Sequence, residues 1–171
     1  MRQPSVTQAE LKNLVSYNPD TGHFTWNFDR NWRAKSGDTA GHINTVSGYV
    51  ELVIDKKLYL CHRLAFLFMT GKWPKHETDH INNIRSDNRW CNLREADVSE
   101  NRCNTRRGRN NTSGFKGVYF HAPSKSWYGQ VRKHGVCHST YGHPTAAAAN
   151  EALKNIRESL HGGFTNHGEG V

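Results

Sequence analysis

The sequence predicts an α+β protein built as two small units, and three observations predict it. Hydrophobic residues make up only 35% of the 171, which suits two small cores better than one large one. Residues 105–112, reading TRRGRNNT, contain no apolar residue and no period, as a linker does. On each side of that run, short strand patterns lead into capped or Ala-rich helical patterns, the mixture expected of small α+β units. The chain therefore divides into a lead-in α/β region over residues 1–55, a core over 56–105, a basic linker over 106–113 and a second domain over 114–165.

The elements follow in order. Thr7-Gln8-Ala9-Glu10 is a capping-box pattern, with Leu11, Leu14 and Val15 at helical spacing behind it, so a short helix begins there. Asn18-Pro19-Asp20-Thr21-Gly22 reads as a turn and residues 23–28 as a strand. Residues 48–54 and 58–60 form a hairpin pattern around Asp55-Lys56-Lys57. Residues 62–69 read as a buried helix that Gly71 and Pro74 end. A polar stretch over residues 78–94 then has a short strand at each end, one with Asp79-His80-Ile81 and one with Cys91-Asn92-Leu93-Arg94. Asp97-Val98-Ser99-Glu100 is a second capping box, so a helix carries Asn101 on its first turns. Beyond the linker, residues 116–121, 126–133 and 136–141 read as strands, with His134-Gly135 as a tight turn. A helix opens at Ala146-Ala147-Ala148-Ala149 and runs to about residue 160.

Charge is unevenly placed. The net +8 divides into 14 Lys and Arg against 12 Asp and Glu over residues 1–104, and 9 against 3 over 105–171. The C-terminal excess favours a polyanion such as nucleic acid, with a merely solvated basic surface as the alternative. Met1-Arg2-Gln3-Pro4 opens no secretory signal, and the longest strongly apolar run, residues 64–69, is too short for a bilayer. The chain reads as soluble and intracellular, without a membrane. Cys61, Cys91, Cys103 and Cys137 form no C-x-x-C pair, which argues against structural zinc and a disulfide framework.

Asp79, His80, Asn92 and Asn101 together have the parts for phosphodiester hydrolysis. That reaction needs an activated water, neutralised phosphate charge and help for the leaving oxygen. A histidine takes a proton near neutral pH. Asp79 and Asn101 offer hard oxygens suited to Mg²⁺ or Mn²⁺, and two protein ligands leave coordination positions for water and phosphate. Asn92 is expected to accept a hydrogen bond from one imidazole nitrogen and leave the other as base. Adjacent strand residues point to opposite faces, so Asp79 and His80 need a twist or bulge to serve one site.

The stretches HRLAFLFMTGKWP (62–74), TDHINNIRSDNRWCNLREA (78–96) and SEN (99–101) closely resemble phage HNH endonucleases of the homing type. The resemblance implies a ββα-metal (His-Me finger) nuclease core. It makes His80 the general base, Asn92 the residue that orients it, and Asp79 with Asn101 the metal ligands. Asn101 stands where the usual lettering has a last His, as in a subgroup of phage homing enzymes, and Asn104 is the runner-up. His62 is expected either beside the site or in the core.

NTSGFKGVYFHAPSKSWYGQVRK (111–133), the Ala-rich helix and LHGGF (160–164) resemble the APETALA-type (ethylene-response-factor-like) DNA-binding domain. This implies a three-stranded sheet laid in the major groove. Tyr128, Gln130 and Arg132 are then expected to face DNA, as are Lys116, Tyr119 and His121. Arg106, Arg107 and Arg109 are expected to track the phosphate backbone or enter a minor groove. The third strand departs from the family's pattern at Ser139-Thr140-Tyr141-Gly142, which leaves its register and the role of His138 open. Together the resemblances imply a cytoplasmic enzyme of a phage-infected bacterium that cuts double-stranded DNA. It would nick as a monomer, or cut both strands through dimerisation or two sequential nicks. A DNA-binding protein without cleavage activity is the alternative.

Overall fold

The computed structural model describes residues 6–168, so the Met1-Arg2-Gln3-Pro4 start lies outside the described residues. The chain divides into two compact units between Glu95 and Ala96, ahead of the expected linker. No helix among the described residues is long and apolar enough to cross a membrane.

In the first unit, Thr7 caps α1 (Gln8–Leu14) through the capping box with Glu10. The chain then turns directly into β1 (Val15–Tyr17), which pairs antiparallel with β2 (Phe24–Trp26). β3 (Thr39–Ala40) extends this small sheet on the β2 side. A second sheet has the order β4 (His42–Ile43), β5 (Val50–Ile54), β6 (Lys57–Leu60). Its hairpin turn puts Asp55 and Lys56 at φ 48° and 64°, the conformation a two-residue turn demands. α2 (Cys61–Thr70) follows at once and ends at Gly71, in the left-handed conformation. Leu11, Val15, Phe24, Leu52, Ile54, Leu64 and Leu67 meet in one core, so α2 is buried between the two sheets' residues and α1. β7 (Glu77–His80) and β8 (Leu93–Ala96) make a third, two-stranded sheet.

The second unit begins with α3 (Val98–Cys103), capped by Asp97 and Glu100 as its sequence predicts. Its sheet has the order β11 (Val136–His143), β10 (Ser126–Lys133), β9 (Val118–His121), all antiparallel. α4 (Ala146–His161), capped by Thr145, packs on one face through Ala149 and Leu153 against Val118 and Val131. Gly129 lets this helix approach closely: a Cβ there would lie 3.1 Å from Leu153 Cβ and 3.2 Å from the Ala149 carbonyl. The expected alternation on β10 holds, with Gly129 and Val131 buried and Gln130 and Arg132 exposed.

The run over residues 105–112 has no regular secondary structure, but it is folded within the second unit. Asn111 closes a turn there, accepting from the Gly114 amide and donating to the Phe115 carbonyl.

Candidate active site

Asp79 and His80 are the last two residues of β7. Thr78, Asp79 and His80 are all buried. No bulge is needed to hide both side chains, because protein covers both sides of the strand and each residue finds its own partners. The Asp79 carboxylate pairs with Arg94 of β8. Its Oδ2 accepts from Arg94 Nε at 2.9 Å and lies 2.8 Å from Nη2. Both side chains are largely shielded, so this ion pair holds the carboxylate more firmly than a surface pair would. Arg94 is thus the partner of Asp79.

The His80 ring lies in an aromatic recess. Its edge meets His62 of α2 at 5.0 Å between centroids, and Tyr49 stands 6.0 Å away. Arg85 covers Tyr49, its guanidinium 5.0 Å from the ring centroid, and donates to the Ser47 carbonyl. Burial pushes the His80 pKa below its ordinary value, against the opposing pull of its Asn88 hydrogen bond and of Asp79 and Asp87. His80 is therefore neutral at pH 7, the form that accepts a proton. His62 is buried more deeply, and burial, with His80 and Arg63 nearby, pushes its pKa down to about 3. Its Nδ1 has no hydrogen-bond partner among the described residues. His62 is thus a neutral wall of the recess.

The imidazole's amide partner differs from the expected one. His80 Nε2 lies 3.0 Å from Oδ1 of Asn88, and Asn92 serves the loop instead. Asn92 Oδ1 accepts from the Asn82 amide, and its Nδ2 donates to Asn82 Oδ1 and to the Asp87 carbonyl. Its carbonyl accepts from the Ile81 amide. Asn92 also lies outside the strand, closing the 3₁₀ turn Trp90–Asn92 just before β8. Its amide is used up in tying both ends of the 82–87 loop together. Asp87 and Arg89 pair across the same loop, and that hydrogen bond draws the Asp87 pKa down to about 2.

Asn101 belongs to the second unit and lies half-buried on α3. Asn104, at the end of α3, is buried and accepts from Asn166 Nδ2 through its carbonyl at 3.0 Å. Carboxylate and carboxamide oxygens are the donor chemistry of a hard divalent cation. Among the described residues no group of three or more His, Cys, Asp or Glu gathers for a metal.

On the outer face of the second unit's sheet, Tyr119 meets Tyr128 at 5.4 Å, and Tyr128 stacks on Tyr141 at 6.0 Å. Gln130 and Arg132 continue that face. His121 is exposed beside it, bonded to Ser124. The register of β11 pairs Cys137 with Arg132 and Ser139 with Gln130, which puts both on the outer face, and His138 with Val131, on the helix side. Lys116 departs from the expected placement. Its ammonium donates to the carbonyls of Cys103, Thr105 and Asn166, and burial and Arg157 push its pKa down to about 8. Lys116 stands two residues before the buried Val118, ahead of Gly117, which at φ 70° turns the chain before β9 begins. Of the linker arginines, Arg107 donates to the Gly114 carbonyl, and all three are exposed.

Residues 59–103 match the HNH endonuclease family, a segment of about a quarter of the chain that contains Asp79, His80, Asn88, Asn92 and Asn101. No curated protein and no solved structure matches the chain. The family match supports reading this segment as an HNH nuclease, a hydrolase that cuts DNA.

Proposed function

We propose that the chain is a metal-dependent DNA endonuclease of the phage homing type, with a ββα-metal centre and a separate APETALA-type DNA-binding domain. The observation that carries the reading is the buried Asp79-His80 pair, with His80 held neutral in its recess and Asp79 held by Arg94. His80 takes the proton of the attacking water. Asp79 and Asn101 each offer an oxygen to a divalent ion, Mg²⁺ or Mn²⁺. When bound, that ion supplies charge neutralisation at the phosphate and at the leaving oxygen. Asn92 keeps the loop between the strands in shape, and Arg94 keeps the Asp79 carboxylate aimed. Tyr119, His121, Tyr128, Gln130 and Arg132 form the DNA face of the second domain, with Arg106, Arg107 and Arg109 following the backbone. Lys116 is left to hold that domain together.

Cleavage of phage and bacterial duplex DNA with Mg²⁺ or Mn²⁺, read on native and denaturing gels, tests the reading. Strand cuts that EDTA abolishes are expected, with nicks as the first product of a single centre. Tight DNA binding without cuts under either metal would instead show a DNA-binding protein that has lost its chemistry.

A further inference from the structure

We propose that Asn88, clamped by the N-terminal β1–β2 hairpin, is the residue that positions His80 and fixes its tautomer, so that the N-terminal region has a part in the reaction. The inference rests on the nuclease reading above, in which His80 is the base.

Asn88 is 2% exposed, and its Oδ1 lies 3.0 Å from His80 Nε2. A carboxamide oxygen only accepts. The neutral ring therefore carries its proton on Nε2 and its lone pair on Nδ1. A short polar side chain fixes a ring only if its own backbone is fixed, and three contacts do that here. Tyr17 Oη donates to the Asn88 carbonyl at 2.7 Å in a buried bond. The Trp90 amide donates to the Pro19 carbonyl at 2.9 Å. Gly22, at φ 76°, lies flat against the 88–89 peptide, where a Cβ would come within 2.4 Å of Asn88 C and Arg89 N. No side chain fits in that space.

The clamp is itself rigid. The Tyr17 ring packs on Phe24 and Phe68 at 4.7 and 5.7 Å. The turn leading to Gly22 is closed by Asn18, whose Oδ1 accepts from the Asp20 and Thr21 amides. The Trp90 ring sits on Phe66 of α2 at 4.8 Å. The hairpin thus grips the loop on both sides of Asn88, some seventy residues away in sequence. A residue that only satisfied a buried histidine would affect stability alone. A positioning residue also governs which ring nitrogen carries the proton, and through it the rate of the step.

The test uses the full chain and two readouts: long-range ¹H–¹⁵N NMR of the His80 ring, and the pH profile of single-turnover DNA cleavage. In the wild type, the ring is expected neutral with its proton on Nε2. Asn88→Asp keeps the acceptor and adds a negative charge. The ring should keep its proton on Nε2, with its ¹⁵N shifts moved by the added charge, and the plateau rate should fall less than in Asn88→Ala. Asn88→Ala should lose the tautomer preference and lower the plateau rate roughly tenfold or more at unchanged KM. Tyr17→Phe should act in the same direction by a few-fold. If Asn88→Ala does not fold, Asn88→Asp and Tyr17→Phe still decide. His80 signals that stay at wild-type positions in Asn88→Asp, or an unchanged tautomer in a folded Asn88→Ala, would overturn the positioning role. Wild-type His80 signals and rate in Tyr17→Phe would overturn the hairpin's share. His80 signals that respond in a chain that cuts no DNA would uphold the positioning and refute the nuclease reading instead.

Discussion

The two units treat their polar side chains in opposite ways. In the first, the groups that carry the proposed chemistry are buried, with Asp79, His80 and Asn88 at 6%, 4% and 2% exposure. Each is tied to a named partner. In the second, the groups proposed to meet DNA lie on a sheet face whose other side packs on α4, with Tyr119 47% exposed and Gln130 and Arg132 exposed beside it. Proton transfer gains from a desolvated, preorganised setting. Groove recognition needs side chains that reach out from a rigid backing. The difference teaches that substitutions in the first unit should change rates at constant affinity, and those on the outer sheet face affinity at constant rate.

The largest break in that comparison should come at the metal ligands. Asp79→Ala and Asn101→Ala should each lower metal-dependent cleavage on the order of 10²-fold or more while DNA binding in EDTA is retained. Single-turnover rates beside binding isotherms check this. Asn104→Ala should act through the stability of the second unit; a loss of rate in a stable Asn104→Ala beside a normal Asn101→Ala would move the ligand one turn along α3.

On the second unit the effect should be smaller and of the other kind. Arg132→Ala and Gln130→Ala should weaken binding about tenfold and relax sequence preference, since a good base contact is worth about 1–3 kcal/mol. Arg107→Ala should weaken all sequences alike. The log–log salt slope of binding should be on the order of −4 to −7 if about four to eight phosphates are neutralised. Lys116→Met sharpens the contrast: it should cost about 1–3 kcal/mol of stability by unpairing three carbonyls, while DNA affinity measured below the melting range stays near wild type.

Much of this arrangement was legible in the sequence, and the misses share a cause. Both capping boxes, the Asp55-Lys56 and His134-Gly135 turns and the inward set of β10 depend on neighbours a few residues away, and they stand where the pattern put them. Asn88 and Asn92 are alike in a polar loop, and which one meets His80 depends on a hairpin far off in sequence. Only Asp87-Asn88-Arg89 within a long polar run hinted at a second functional amide. Lys116 was set facing DNA with the rest of the sheet, but it lies two residues before the buried Val118 and its ammonium turns to carbonyls of its own unit. The register of β11 was not legible because its pairing with β10 shifts between Trp127 and Gly129.

A separate effect is expected on acid stability. His62 has a folded pKa of about 3 against an ordinary 6.5. Below pH 6.5 the unfolded chain takes up a proton that the folded ring refuses, so stability is full above that pH and falls as the pH drops toward 3. His62→Phe should therefore lose less stability between pH 7 and pH 4.5 than the wild type, as urea unfolding at the two pH values will show. An equal or steeper loss would place the acid sensitivity elsewhere.

The most direct measurement is single-turnover cleavage of duplex DNA by the wild type and His80→Ala across pH 5 to 8 with Mg²⁺. The wild-type rate should rise with pH and reach its plateau with a midpoint below the ordinary histidine value, because burial lowers the His80 pKa. His80→Ala should lose roughly 10²-fold or more of the plateau rate, lose that limb, and bind DNA as the wild type does. Near-normal cleavage by His80→Ala, with the limb intact, would contradict the assignment of His80 as the base.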